Sequence, residues 1–242
     1  MWYEKRHNSL MTFFDKDYII MVYFIEKEKS MGIFKRYEEY QNARDAAWRI
    51  LLQSKVRELP VDPIKISQKL GIKVITYREA KELIVALGFS KFTEGNDGFS
   101  LMLRKRPVIF YDDETTTPER QRFTVAHELG HLVNGDLGDL PTCRNTEVAE
   151  GEPDKERSAN IFAARLLAPA CVLHALKVST VEEIQSLCKI SRPAATFRLR
   201  RLKLLYKREE AFLRTRGYSC FGLSPLERQL EKQFAAFIKC QS

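Results

Sequence analysis

Apolar positions along this chain recur first with a helical period and then with a two-residue one, and each change of period marks an element. From Phe34 onward, Tyr37, Tyr40, Ala47, Trp48, Leu51 and Leu52 define an amphipathic helix. Asp62 and Pro63 open a shorter helix that stops at Gly71. Residues 72–76 read as a strand, and residues 99–103 and 107–111, joined by Arg104-Lys105-Arg106, as a hairpin. The helical period returns with Thr117 as N-cap, Pro118 in the first helical position and Glu119 in the first turn. Phe123, Ala126, Gly130 and Val133 form the buried stripe of this helix, and Asn134-Gly135 ends it. A further helix over residues 155–167 packs through Ala159, Phe162, Ala163 and Leu166 and stops before Pro169. Thr180-Val181-Glu182-Glu183 starts a helix with a capping box, Ser191 caps the next, and Ser224-Pro225-Leu226-Glu227 opens a last one carrying Leu230, Phe234, Phe237 and Ile238. The order predicts an α+β fold, mostly helical, with a small antiparallel sheet and a C-terminal helical module.

The helix over residues 118–134 carries the chain's most telling chemistry, His127-Glu128-Leu129-Gly130-His131. Residues four apart lie one above the other on a helix, so two imidazoles can grip one tetrahedral cation. Glu128, about 100° round the axis, can then face the open coordination position. Only four histidines occur in the chain, and two of them fall here. A hydrolytic zinc site needs a third protein ligand and leaves the fourth position to water. Metzincins place that ligand six residues after the second histidine, which here is Leu137, so that class is excluded. Asp136 and Asp139 follow the helix-ending Gly135 and are expected to matter little to the metal. Glu156, in the first turn of the next helix, is the expected third ligand. Asn160, one turn further on the same face, is placed to hydrogen-bond a ligating histidine from behind. The expected cofactor is Zn2+, with Mn2+ as an alternative in the cell.

Charge changes the picture only toward the C-terminus. Residues 1–175 hold 26 basic and 26 acidic side chains, residues 176–242 hold 14 and 6, so the whole net +8 resides in the last 67 positions. The helix after Ser191 bears Arg192, Arg198, Arg200, Arg201 and Lys203. Two short helices with a basic second one match a helix-turn-helix outline, with Arg198, Arg200 and Arg201 as candidate contacts to a protein partner or DNA. Five cysteines without a CxxC pair fit a reducing cytosol. The longest apolar run, residues 18–25, has eight positions, far fewer than a bilayer needs. Four of the five methionines lie within the first 31 positions, ahead of the orderly pattern, which points to either a genuine N-terminal extension or, preferred, a start at Met31. The expected organisation is an extension over residues 1–33, a metallopeptidase domain over 34–175, a helix-turn-helix-like basic module over 176–206 and a tail with an amphipathic helix over 207–242.

Several separated segments resemble one family in order. Arg120-Gln121-Arg122-Phe123-Thr124-Val125-Ala126-His127-Glu128-Leu129-Gly130-His131 is similar to the core of the ImmA/IrrE metallo-endopeptidases. Glu156-Arg157-Ser158-Ala159-Asn160-Ile161-Phe162-Ala163 resembles the E-x-x-A-N-x-F-A segment of the same family. Pro60 to Pro63, Gly71 to Val74 and Ile190 to Leu199 resemble its flanking elements. Tyr111-Asp112 departs from it where an Asn or similar residue is expected after the strand. The resemblance implies a zincin-like core and a bacterial, cytoplasmic protease that cleaves a helix-turn-helix repressor, releasing genes of a mobile element, prophage or stress response. Two other readings compete. One is a non-proteolytic regulator whose metal is structural and whose basic module binds DNA. The other is a toxin–antitoxin component acting through protein contact. Glu128 speaks against the first, because a structural site needs no base beside its metal.

Overall fold

A computed structural model describes residues 31–136, 142–143, 153–215 and 223–241. The chain divides into two units, Met1–Gln41 and Asn42–Ser242. The expected extension and the start at Met31 fall almost wholly outside the described residues. Helix α1 spans Met31–Gln53. In the second unit its Ala43, Ala47, Trp48 and Leu51 are buried at helical spacing. Asp62 caps α2 (Pro63–Lys69), its carboxylate accepting from the amides of Ile64 and Lys65 at 3.0 and 3.1 Å. Such a cap contributes about 1 kcal/mol.

The sheet holds β1 (Lys73–Thr76), β2 (Gly98–Leu103), β3 (Arg106–Tyr111) and the two-residue β4 (Thr142–Cys143), in the order β1-β3-β2-β4. It is mixed, not purely antiparallel as expected, because β1 pairs with β3 in parallel from Lys73↔Val108 to Thr76↔Tyr111. The cause is the connection after β1. Two short helices, α3 (Lys81–Ala86) and α4 (Ser90–Thr93), carry the chain over one sheet face before β2 begins. Strand β3 then turns back into the place between β1 and β2. The turn is two residues long rather than three, since Leu103 pairs with Arg106. Arg104 and Lys105 both take positive φ, 49° and 64°, a conformation that costs a non-glycine residue roughly 1–2 kcal/mol.

Alternation gives the sheet two apolar faces. One joins Ile109 to the main core, which also takes in Leu129, Phe162, Leu166, Leu173, Ile184, Leu202 and Phe234. On the other, Phe99, Leu101, Val108 and Phe110 form a smaller core with Ala80 and Ile84. Behind the first face lie α5 (Pro118–Asn134) and α6 (Pro153–Leu167), followed by α7 (Ala170–Ala175), α8 (Val181–Cys188), α9 (Arg192–Thr215) and α10 (Pro225–Gln241). Asp154–Ala175 has the length and apolarity of a membrane span, but 67% of its apolar window is buried inside the fold. Thr180 and Glu183 form both halves of the expected capping box on α8, and three residues separate α8 from α9. Ser224 and Glu227 cap α10 reciprocally at 3.2 and 2.7 Å. Its Leu230 and Phe234 are fully buried, while Gln233 donates to the carbonyls of Leu51 and Val56 at 2.9 and 2.6 Å.

Candidate metal centre

Helix α5 starts and stops where its sequence requires. Thr117 Oγ1 accepts from the Arg120 amide at 3.3 Å, and Pro118 needs no partner for its nitrogen. The residues just ahead of the histidines fix the helix in place. Arg120 pairs with Asp97 before β2, Gln121 donates to the Thr116 carbonyl at 3.0 Å, and Arg122 donates to the carbonyls of Val61 and Cys188. Asp112 shapes the preceding loop, its carboxylate accepting from the amides of Glu114 and Thr115 at 2.8 and 3.0 Å. Burial raises its pKa, but those bonds and the Thr115 hydroxyl outweigh that and leave it lowered. The departure at Asp112 therefore has a local structural task.

His127, His131 and Glu156 converge from α5 and α6. The two Nε2 atoms are 3.1 Å apart, His127 Nε2 is 3.2 Å from Glu156 Oε2, and His131 Nε2 is 3.1 Å from Glu156 Oε1. Donors about 2.0 Å from one tetrahedral cation stand roughly 3.3 Å from each other. These separations, with a different Glu156 oxygen facing each histidine, are close to the donor spacing such a cation needs, and the two-nitrogen, one-carboxylate chemistry suits zinc. Gly130 permits the convergence. A Cβ there would lie 3.1 Å from both Ala159 Cα and Phe162 Cδ1, so its lack of a side chain lets α6 approach. Asn134 ties the same two helices by donating to Ser158 Oγ at 3.1 Å.

The charge state follows from these contacts. Burial pushes Glu156 toward protonation, but its bonds to His127 and His131 outweigh this and hold its carboxyl far below the usual range. For His131 burial favours the neutral ring. The bonds to Glu156 and Asp136 and the charge of Glu128 overcome that, so its pKa is raised.

Two residues around the triangle were not assigned these parts in the sequence. Gly135 takes the left-handed conformation, φ 75° and ψ 24°, and turns the chain back so that the Asp136 amide bonds the His131 carbonyl at 3.0 Å. The same turn sets Asp136 Oδ2 3.2 Å from His131 Nδ1. The carboxylate behind a histidine is thus Asp136, expected to be idle. Asn160, expected in that part, is half-buried on α6 and bonds neither histidine. The second residue is Ser100, fully buried in β2, whose hydroxyl donates to Glu128 Oε2 at 2.8 Å. Glu128 itself is 1% exposed, buried beside the donors.

Strand β3, immediately ahead of α5, is flanked on both sides by β1 and β2, and β2 carries the Ser100 that bonds Glu128. Its outer edge is paired by β4 at Phe99 and Ser100. Among the basic residues of α9, Arg200 and Arg201 are exposed, but Arg198 is buried and donates to the Ala168 carbonyl at the end of α6. Arg198 is therefore a structural residue and not a surface contact.

Two histidines and an acid on adjacent helices beside a mixed sheet form a group that could hold a metal ion, and the family match below makes the class that of the metallopeptidases. Residues 68–200 match the family model of the IrrE N-terminal-like domain, more than half of the 242 positions, and the chain belongs to that family. No curated protein matches the chain.

Proposed function

We propose that this protein is a zinc-dependent endopeptidase acting in the cytoplasm on a helix-turn-helix repressor. The observation that carries the reading is the donor triangle with Glu128 buried beside it and bonded by Ser100. His127, His131 and Glu156 would hold the metal, which when bound polarises a peptide carbonyl and makes water acidic. Glu128 takes the proton from the attacking water and delivers it to the leaving amine. Ser100 keeps that carboxylate in one orientation, and Asp136 does the same for the His131 ring. The repressor as substrate is supported by membership in the family and by the resemblance of the separated motifs. Arg200 and Arg201, exposed on α9, are assigned to contact with the repressor or with the DNA it occupies.

The test is co-expression with the repressor encoded beside this gene, followed by mass spectrometry of fragments and measurement of bound metal. Wild type is expected to cut once, while Glu128→Gln keeps its metal and loses at least 100-fold in rate. Cutting by Glu128→Gln at the wild-type rate would remove the base from this mechanism.

A further inference from the structure

We infer that the hairpin end of the sheet is a docking site for an acidic, amphipathic segment of a protein partner. A cleft of about 570 Å3 lies there, on the sheet face opposite α5. Its existence follows from the shortness of α3. Six residues cover Phe99 and Phe110 through Ile84 but do not reach the strand ends, so Ile75 and Leu103 remain half exposed above buried Val108. Leu83 of α3 lines the same cleft and is 39% exposed, and Val85 and Leu87 also face outward. The result is an aliphatic floor that no described residue covers.

Cations rim this floor. Lys73, Arg104 and Arg106 line the cleft, no acidic residue does, and none of the three is paired with an acid among the described residues. The turn that carries the rim uses Arg104 and Lys105 at positive φ, where Asn-Gly would fit with less strain. Charge is thus kept at a position where local conformation disfavours these residues. Nucleic acid suits the cleft poorly, because its lining holds no aromatic ring on which a base could stack. An apolar stripe bordered by Asp or Glu satisfies floor and rim together. Leu103 lies three residues from Ser100 and on the other face of β2, so the cleft is about 10 Å along the strand from the candidate metal centre. The docking claim stands without the peptidase reading; if that reading holds, the segment belongs to the substrate at a distance from the cut bond.

The probe is a fluorescein-labelled 14-residue amphipathic peptide with leucines at helical spacing and glutamate flanks, followed by fluorescence anisotropy. Counterparts carry lysine flanks or scrambled leucines. Wild type is expected to bind the glutamate peptide at least tenfold tighter than either counterpart. Arg104→Asn with Lys105→Gly should melt higher than wild type, because the turn is relieved, yet bind the peptide at least fivefold more weakly. Adding Arg106→Gln should deepen the loss, whereas Lys232→Gln with Lys239→Gln, exposed on α10, should leave binding unchanged. Equal binding of the three peptides, no binding, or loss confined to the α10 variant would overturn the proposal. Binding of a fluorescein-labelled single-stranded oligonucleotide that is lost in the Arg104→Asn, Lys105→Gly variant, with no peptide binding, would assign the cleft to nucleic acid and overturn it as well. Bound metal and cleavage of the repressor by Glu128-intact protein report separately on the peptidase reading.

Discussion

A carboxylate proposed as a base works best from a fixed orientation, and the buried hydroxyl of Ser100 bonds Glu128 Oε2 at 2.8 Å. Ser100→Ala removes that bond with little change of volume. Turnover should fall about tenfold, equivalent to roughly 1.4 kcal/mol of barrier, with metal content unchanged. Loss of metal instead would mean that Ser100 supports the fold of the site and not its base. Asp136 acts on the other side of the triangle. Its bond to His131 Nδ1 orients the ring, so Asp136→Ala should weaken metal binding 10–100-fold, with Glu156→Ala still more severe. The raised His131 pKa sets the pH dependence: a cation must displace the proton that the surrounding carboxylates favour. Affinity is therefore full at alkaline pH and falls as pH drops through the raised value, beginning above the point expected for an ordinary histidine. Chelator competition at pH 6, 7 and 8 measures both effects, and an affinity flat across that range would contradict the proton competition.

At the level of elements, the contact between α5 and α6 decides where Glu156 stands. Gly130→Ala puts a methyl 3.1 Å from the Ala159 backbone and from the Phe162 ring, so the helices must separate by a few tenths of an ångström. The expected cost is about 1–3 kcal/mol of stability, with weaker metal binding because the acid retreats from the histidines. Thermal unfolding and metal titration of the variant check this; an unaltered affinity would show that Glu156 can follow the histidines. Much of this architecture was legible in the sequence. Asp62, Thr117 and Thr180 cap their helices as read, since a cap is a bond between near neighbours. Helices α3, α4 and α7 were not read, being four to six residues long and without side-chain caps. The parallel pairing of β1 with β3 depends on a crossover, and the Ser100–Glu128 bond joins positions 28 apart, so neither leaves a local trace. Arg198 did leave one. It falls at helical spacing with Ala195, Leu199 and Leu202, all buried, and its place in that stripe separates it from exposed Arg200 and Arg201.

On the scale of the whole molecule, the family match covers residues 68–200, but the main core extends beyond it, with Trp48 and Leu51 from α1 and Leu230 and Phe234 from α10. The candidate metal donors are also drawn from distant parts of the chain, two from α5 and one from α6. A cation held by all three would join residue 127 to residue 156 and close a loop of roughly 30 residues, much as a covalent cross-link does. Because it binds the folded chain alone, it would add about 4 kcal/mol of stability at a thousandfold excess over its dissociation constant. The melting temperature should then climb with the logarithm of free zinc and fall on chelation. A transition indifferent to both would separate the three donors from any cation. The midpoint becomes a gauge of affinity that can be read from Glu128→Gln protein, in which cutting is expected to be lost, so the strength of the metal site can be known before any substrate is.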